Sequence, residues 1–204
     1  MKASKMIAAG LLLGTVAWTI HRNRKYPLEK GYPLVNLFTL PKGMVSSNFA
    51  AFGNRQLQKR KLPPAPTGVS RHSIWIPSKD GVFIQLSIYE TLKKDSQTPC
   101  LIYFHGGGFC FSDAGYIHKN VADYARFAKC KVVFVHYRTA DQYAFPIPFE
   151  DCRIGLQYVW ENSHLLGIDR NRIAVGGDSA GGALAAACTL WARDETTIKI
   201  LFQM

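Results

Sequence analysis

A chain of 204 residues, 48% hydrophobic and 19% charged, has the apolar content to bury a core and no room for a tandem array, which excludes intrinsic disorder and a repeat protein. The net charge of +11 sits in the first third: residues 1–72 hold twelve Lys/Arg and one acid, Glu29, whereas residues 73–204 hold thirteen of each sign. A neutral body with one basic end argues against nucleic acid as a partner and for approach to an anionic membrane through that end.

The first element is an apolar run, Met6–Ile20, preceded by Lys2 and Lys5 and followed by Arg22, Arg24 and Lys25. As a helix it would be about 22 Å long, short of a bilayer core of about 30 Å, yet Trp18 at the interface and snorkelling flanks allow a membrane anchor. A cleaved signal peptide and an ordinary buried helix are the alternatives; cleavage would make the protein secreted. Residues 1–25 are therefore expected to be an anchor or signal segment, which makes the chain membrane-associated, on a side that the flanking charges leave open. Residues 26–70 are broken by Pro27, Pro33, Pro41, Pro63, Pro64 and Pro66 and read as a basic linker with short helices. Its closing run Lys59-Arg60-Lys61 reads as solvated surface.

From His72 the pattern becomes regular. Ile74 and Ile76, a turn at Asp80-Gly81, and alternating Val82, Ile84, Leu86 and Ile88 predict an antiparallel hairpin. Cys100–Phe104 is a continuous apolar strand of the kind covered on both faces. Ile117, Val121, Tyr124, Ala125 and Ala128 then have helical spacing, Val132–Val135 is a buried strand, and Cys152, Gly155, Leu156, Val159 and Trp160 are helical again. Arg172–Gly176 is the next strand and Ala180–Arg193 a helix of small residues. Such alternation predicts an α/β fold over residues 71–204, mostly parallel, with helices on both faces. The five cysteines, Cys100, Cys110, Cys130, Cys152 and Cys188, are widely spaced, with no CxxC pair, and read as buried thiols rather than disulfides or a metal site.

Two motifs carry chemistry. Gly177-Asp178-Ser179-Ala180-Gly181 lies where a buried strand turns directly into a helix, the context of a nucleophile elbow, with glycines that let backbone pass close by Ser179. A phosphate loop does not fit, because Gly182 is followed by Ala183-Leu184 instead of Lys and Ser/Thr. His105-Gly106-Gly107-Gly108 ends the Cys100–Phe104 strand, and three glycines in a row are costly to order unless bare N–H groups must point at something. Acyl transfer needs such donors for the oxyanion, here expected from Gly107, Gly108 and Ala180. His105 is expected to hold the loop.

These motifs, with Tyr137-Arg138 and Phe145-Pro146 between them and Gly167-Ile168-Asp169 ahead of the last strand, resemble the hormone-sensitive-lipase-like branch of the α/β-hydrolases, which includes the arylacetamide deacetylases. The resemblance, running from about His72 to the C-terminus, implies an α/β-hydrolase fold and hydrolysis of carboxylic esters and some amides by a Ser-Asp-His triad without metal or organic cofactor, with an uncharged acyl ester as the expected substrate. It also implies that residues 27–70 contribute to a lid. Thr139–Tyr143 departs from the Leu-Ala-Pro-Glu-like stretch of that branch. In these enzymes the acid and histidine follow the nucleophile. Here His21, His72, His105, His118, His136 and His164 all precede Ser179, and the acids after it, Asp194 and Glu195, end its own helix. The triad acid and histidine are thus absent from the chain, and the apolar run Ile198–Met204 reads as a strand entered and never left, so a fold incomplete at its C-terminal end is expected. The expected function is a serine carboxylesterase or lipase-like hydrolase; the alternative is a catalytically inactive fragment of that fold that binds acyl ligands or partners.

Overall fold

The computed structural model describes residues 14–18, 20, 21, 24, 25, 46–92 and 97–204. The chain divides into two compact units, Met1–Val45 and Ser46–Met204. In the first unit the described residues are helical and exposed, Val16, Trp18 and Ile20 among them. Among the described residues no helix is long and apolar enough to cross a membrane, so the anchor expected over Met6–Ile20 finds no support there. Met6–Leu13 and Thr19 lie outside the described residues.

The second unit begins with helix α1 (Ser47–Gln58), whose N-cap Ser46 accepts a hydrogen bond from the Phe49 N–H at 3.3 Å. Strands β1 (Val69–Pro77) and β2 (Phe83–Thr91) form the expected hairpin, pairing Ile74 with Leu86 and Ile76 with Ile84. Its turn is closed by the Ser78 N–H on the Val82 carbonyl at 2.7 Å, with Gly81 at φ +80°. The remaining elements alternate: β3 (Thr98–Phe104), α2 (Gly115–Ala128), β4 (Lys131–His136), α3 (Ile147–Glu161), β5 (Ile168–Gly177), α4 (Ala180–Glu195) and β6 (Phe202–Gln203).

These strands build one six-stranded sheet in the order β1-β2-β4-β3-β5-β6, in which β4, β3, β5 and β6 are mutually parallel and the β1–β2 hairpin joins β4 antiparallel. Ile198–Met204 contributes only two paired residues, Phe202 beside Ala174 and Gln203 beside Val175. The pleat sorts side chains by face. Ile84, Leu86, Ile88, Ile102, Val133 and Val175 pack with Leu156 and Val159 of α3 and Leu184 and Cys188 of α4, whereas Tyr89, Tyr103 and Phe134 pack with Ile117, Val121 and Ala125 of α2. Both faces of β3 are therefore covered, as its unbroken apolar sequence requires.

The chain leaves β3 towards β4 on one side and later returns to place β5 on the other. Connections leaving the carboxyl ends of β3 and β5 therefore diverge, opening a crevice at the switch point of the sheet. Both motifs sit at that crevice.

Candidate active site

Only Asp178 and Ser179 separate the end of β5 from the start of α4, so the chain reverses from strand to helix within two residues. Ser179 takes the strain, at φ +52° and ψ −114°, a backbone region that costs a non-glycine residue about 1–3 kcal/mol. The glycines on either side permit it. A Cβ on Gly177 would lie 2.3 Å from the Phe104 carbonyl oxygen, and one on Gly181 would lie 2.0 Å from the same atom. The turn is thus pressed directly onto the last residue of β3. Ser179 is exposed, at the N-terminus of α4, and its hydroxyl bonds to no other group among the described residues. Asp178 is held from the side by the Tyr103 hydroxyl, which donates to Oδ2. Burial, reinforced by that carboxylate, pushes the Tyr103 phenol well above its ordinary pKa, so it stays a donor.

The glycine loop meets this turn from the other strand. Gly106 approaches so closely that a Cβ there would lie 2.7 Å from the Asp178 carbonyl oxygen. Gly107 and Gly108 follow with φ of +129° and +60°, which glycine adopts at little cost, and Phe109 at φ +64° bears the cost of a side chain there. The Gly107 carbonyl accepts the N–H groups of Cys110 and Phe111 at 3.1 and 2.9 Å, and the Phe109 carbonyl accepts that of Ala140 at 2.8 Å. Among the described residues, the N–H groups of Gly107, Gly108 and Ala180 have no acceptor.

His105 is buried, its ring stacked on Tyr137 with centroids 4.2 Å apart. Its Nδ1–H donates to the Gly106 carbonyl at 2.7 Å, and the Tyr137 hydroxyl donates to the His105 carbonyl at 2.7 Å. Burial lowers the imidazole pKa to about 4, so the ring is neutral at physiological pH and braces the loop.

Further braces come from residues to which the sequence reading gave no bracing role. Asn54 of α1 is 1% exposed; its Nδ2 donates to the Cys110 carbonyl and its Oδ1 accepts the Ser112 N–H, both at 2.8 Å. Asp113 accepts from His118 Nε2 at 2.5 Å and lies 3.5 Å from His136 Nδ1; His118 Nδ1 in turn accepts from the Tyr89 hydroxyl at 2.5 Å. Burial alone would raise the Asp113 pKa, but the two imidazoles hold it far below the usual carboxylate range. His136 Nε2 is also 2.9 Å from Ser87 Oγ, which completes a Ser-His-Asp arrangement, yet Ser87 is fully buried in β2 and closed to substrate. The loop after β4 is fixed by Arg138, whose guanidinium donates to Asp151 at 2.7 and 2.8 Å and to Asp80 at 2.6 Å. Thr139 Oγ1 donates to Asp141 Oδ1 at 2.6 Å, which shapes the divergent Thr139–Tyr143 stretch.

Between the motifs lies a cleft of about 440 Å³, walled by Phe109, Ala140, Phe145, Phe149 and Ala183. Ala183 is one helical turn beyond Ser179, so an apolar group in the cleft lies beside the serine. A larger open cavity of about 690 Å³ lies at the far end of α4, near Arg193 and Ile198, remote from both motifs. Of the histidines, His105, His118 and His136 are engaged as described, His72 lies 3.9 Å from Glu90, and His164 is exposed on the loop before β5. Among the described residues none is hydrogen-bonded to Ser179, and Asp194 is paired with Arg193 at 2.6 Å. Nor do three His, Cys, Asp or Glu side chains converge there as a metal would require.

The sequence profile of a family described by its alpha/beta hydrolase fold matches residues 101–204, from the centre of β3 to the last residue. The chain belongs to the α/β hydrolase family. Among its relatives in that family is Esterase LipI of Mycobacterium tuberculosis, 38% identical over 114 residues, which cover 56% of this chain and 36% of that protein. Bovine (Bos taurus) arylacetamide deacetylase is 36% identical over 104 residues, covering 49% of this chain and 26% of that protein. The solved structure of a bacterial heroin esterase superposes with a TM-score of 0.65 at 34% identity, over 77% of this chain and 49% of that one. The resemblance to the arylacetamide-deacetylase branch is borne out. The chain spans 36% to 53% of the length of the first curated relatives it matches, and only part of the α/β hydrolase fold.

Proposed function

We propose that this chain carries the nucleophile and oxyanion site of a carboxylic ester hydrolase. One observation supports the reading above all: the turn that carries an exposed, strained Ser179 is pressed against the glycine loop, and the N–H groups of Gly107, Gly108 and Ala180 in these two segments have no acceptor among the described residues. Names of relatives such as Esterase LipI agree with it.

In the proposed reaction Ser179 Oγ attacks the carbonyl carbon of an uncharged ester and an Oγ–C bond forms. The carbonyl π electrons move to oxygen, where the three N–H groups receive them; losing one such donor typically costs about 10²–10³ in rate. The serine proton passes to a histidine outside these 204 residues and then to the departing alcohol as the C–O bond breaks. Water, deprotonated by the same base, then attacks the acyl carbon; the Oγ–C bond breaks, the base returns its proton to Ser179 Oγ, and the acid leaves. The chemistry needs no metal or organic cofactor. The apolar cleft favours an acyl group without charge.

The absence of a bonded histidine at Ser179 among the described residues favours a second reading for the 204 residues alone. Without a base, turnover falls by about 10⁶, leaving an inactive acyl-binding form. Intact mass of the polypeptide from its native source, with fluorophosphonate labelling and hydrolysis of a p-nitrophenyl ester, separates the two. The first reading expects a mass well above 22.8 kDa, labelling, and loss of labelling in Ser179→Ala. Labelling that persists in the variant overturns Ser179 as nucleophile. Membrane association through residues 1–25 belongs to the same proposal; alkaline carbonate extraction tests it, with retention in the membrane fraction expected.

A further inference from the structure

A surface helix normally turns a polar face to water. Helix α1 does not. Its inner side carries Ala50 and Asn54, both 1% exposed, with Asn54 bonded to the glycine loop. At about 100° per residue, Phe52 points almost opposite to both, and it is 59% exposed. Phe49 shares that outer side at 41% exposure, one edge resting on Phe111 with centroids 6.2 Å apart.

Cations surround these rings. Arg55 and Lys59 fall on the same arc of the helix, and Arg60 and Lys61 follow it directly, all four exposed. None pairs with a carboxylate among the described residues. The sequence between Glu29 and Asp80 holds no acid at all. An outward aromatic side chain set among unneutralised cations is the composition of a helix that lies in a membrane interface, its ring at the acyl boundary and its cations over anionic headgroups.

We infer that the outer face of α1 and the basic run Lys59–Lys61 form a docking surface for an anionic lipid bilayer, independent of the chemistry at Ser179. Charge complementarity selects the lipid, and the convex helix face, which offers no groove to track a phosphate backbone, selects it over nucleic acid. Because α1 also holds Cys110 and Ser112 through Asn54, the docked surface lies one helix away from the glycine loop.

The test uses the whole chain with vesicles of phosphatidylcholine alone and of phosphatidylcholine with one-quarter phosphatidylserine. Binding is read by flotation, and its location by hydrogen-exchange mass spectrometry. Expected are binding to the anionic vesicles and protection over residues 47–61. Lys59→Ala/Arg60→Ala/Lys61→Ala should weaken binding roughly 100-fold, from about 1 kcal/mol for each cation. Phe52→Ser should weaken it about tenfold, because an apolar ring is withdrawn from the acyl boundary. Both variants alter exposed positions and should melt as the parent does. The inference fails if protection over 47–61 is the same on neutral as on anionic vesicles, if neither variant lowers that protection, or if protection falls on residues 6–20 and not on 47–61. Protection of 47–61 by a single-stranded oligonucleotide at lower concentration than by vesicles also overturns it.

Discussion

Gly181→Ala isolates the close contact between the serine turn and the sheet. A Cβ there would meet the Phe104 carbonyl oxygen at 2.0 Å, against an ordinary approach of about 3.3 Å, so backbone must separate by more than about 1 Å. Neither side yields easily: Phe104 is fully buried in the central strand and paired in register with Gly177. Overpacking of that kind costs about 1–3 kcal/mol, and one or two ladder hydrogen bonds near Phe104 add about 1 kcal/mol each, for a total of about 4 kcal/mol. In a chain of this size that lowers Tm by about 12 °C. Gly108→Ala is the control, since a Cβ there meets nothing within 4 Å and bears only the cost of φ +60°, about 1 kcal/mol or 3 °C. Thermal unfolding followed by circular dichroism compares the two. Equal losses, or a loss below about 1 kcal/mol for Gly181→Ala, would refute the argument that the turn is clamped on β3.

Asn54→Ala should cost about 2–3 kcal/mol in urea unfolding, because the Cys110 carbonyl and Ser112 N–H lose their shared partner. If the proposed function holds, it should also lower kcat more than it raises KM, since the loop donors shift while the apolar cleft persists. His105 has a pKa of about 4 when folded and an ordinary one near 6.5 when unfolded, so the unfolded chain takes up the proton first. Its share of stability is full above pH 6.5 and falls by about 3 kcal/mol on descent to pH 4; His105→Gln should flatten the pH dependence of the urea midpoint over that window. Asp151→Asn leaves the largely buried Arg138 with Asp80 as its one carboxylate and should cost about 3 kcal/mol, visible as a lower Tm.

The elements that sequence made legible are those whose signals are local. The unbroken apolar run Cys100–Phe104, the Asp80-Gly81 turn and the two glycine motifs each declare themselves within a few residues, and all take up the expected conformations. The braces were hidden because they span the chain. Asn54 reaches residues 56 and 58 positions away from a segment without periodicity. His118 occupies a buried position of α2 that the apolar pattern skipped, because a histidine counts as polar until Asp113 and Tyr89 are seen around it. Arg138 was noticed for its neighbours in sequence, while its partners Asp80 and Asp151 come from the hairpin turn and α3.

The strand order has a consequence for synthesis. β3 is flanked by β4 and β5, which follow it in the chain, so while the ribosome is still short of Ile168–Gly177 one edge of the most apolar strand has no partner. The glycine loop likewise emerges some 70 residues before the turn it rests against. Ribosomal pausing between Glu161 and Ile168 would prolong that exposure. Chaperone demand should therefore concentrate on nascent chains that have completed α3 and not yet made β5.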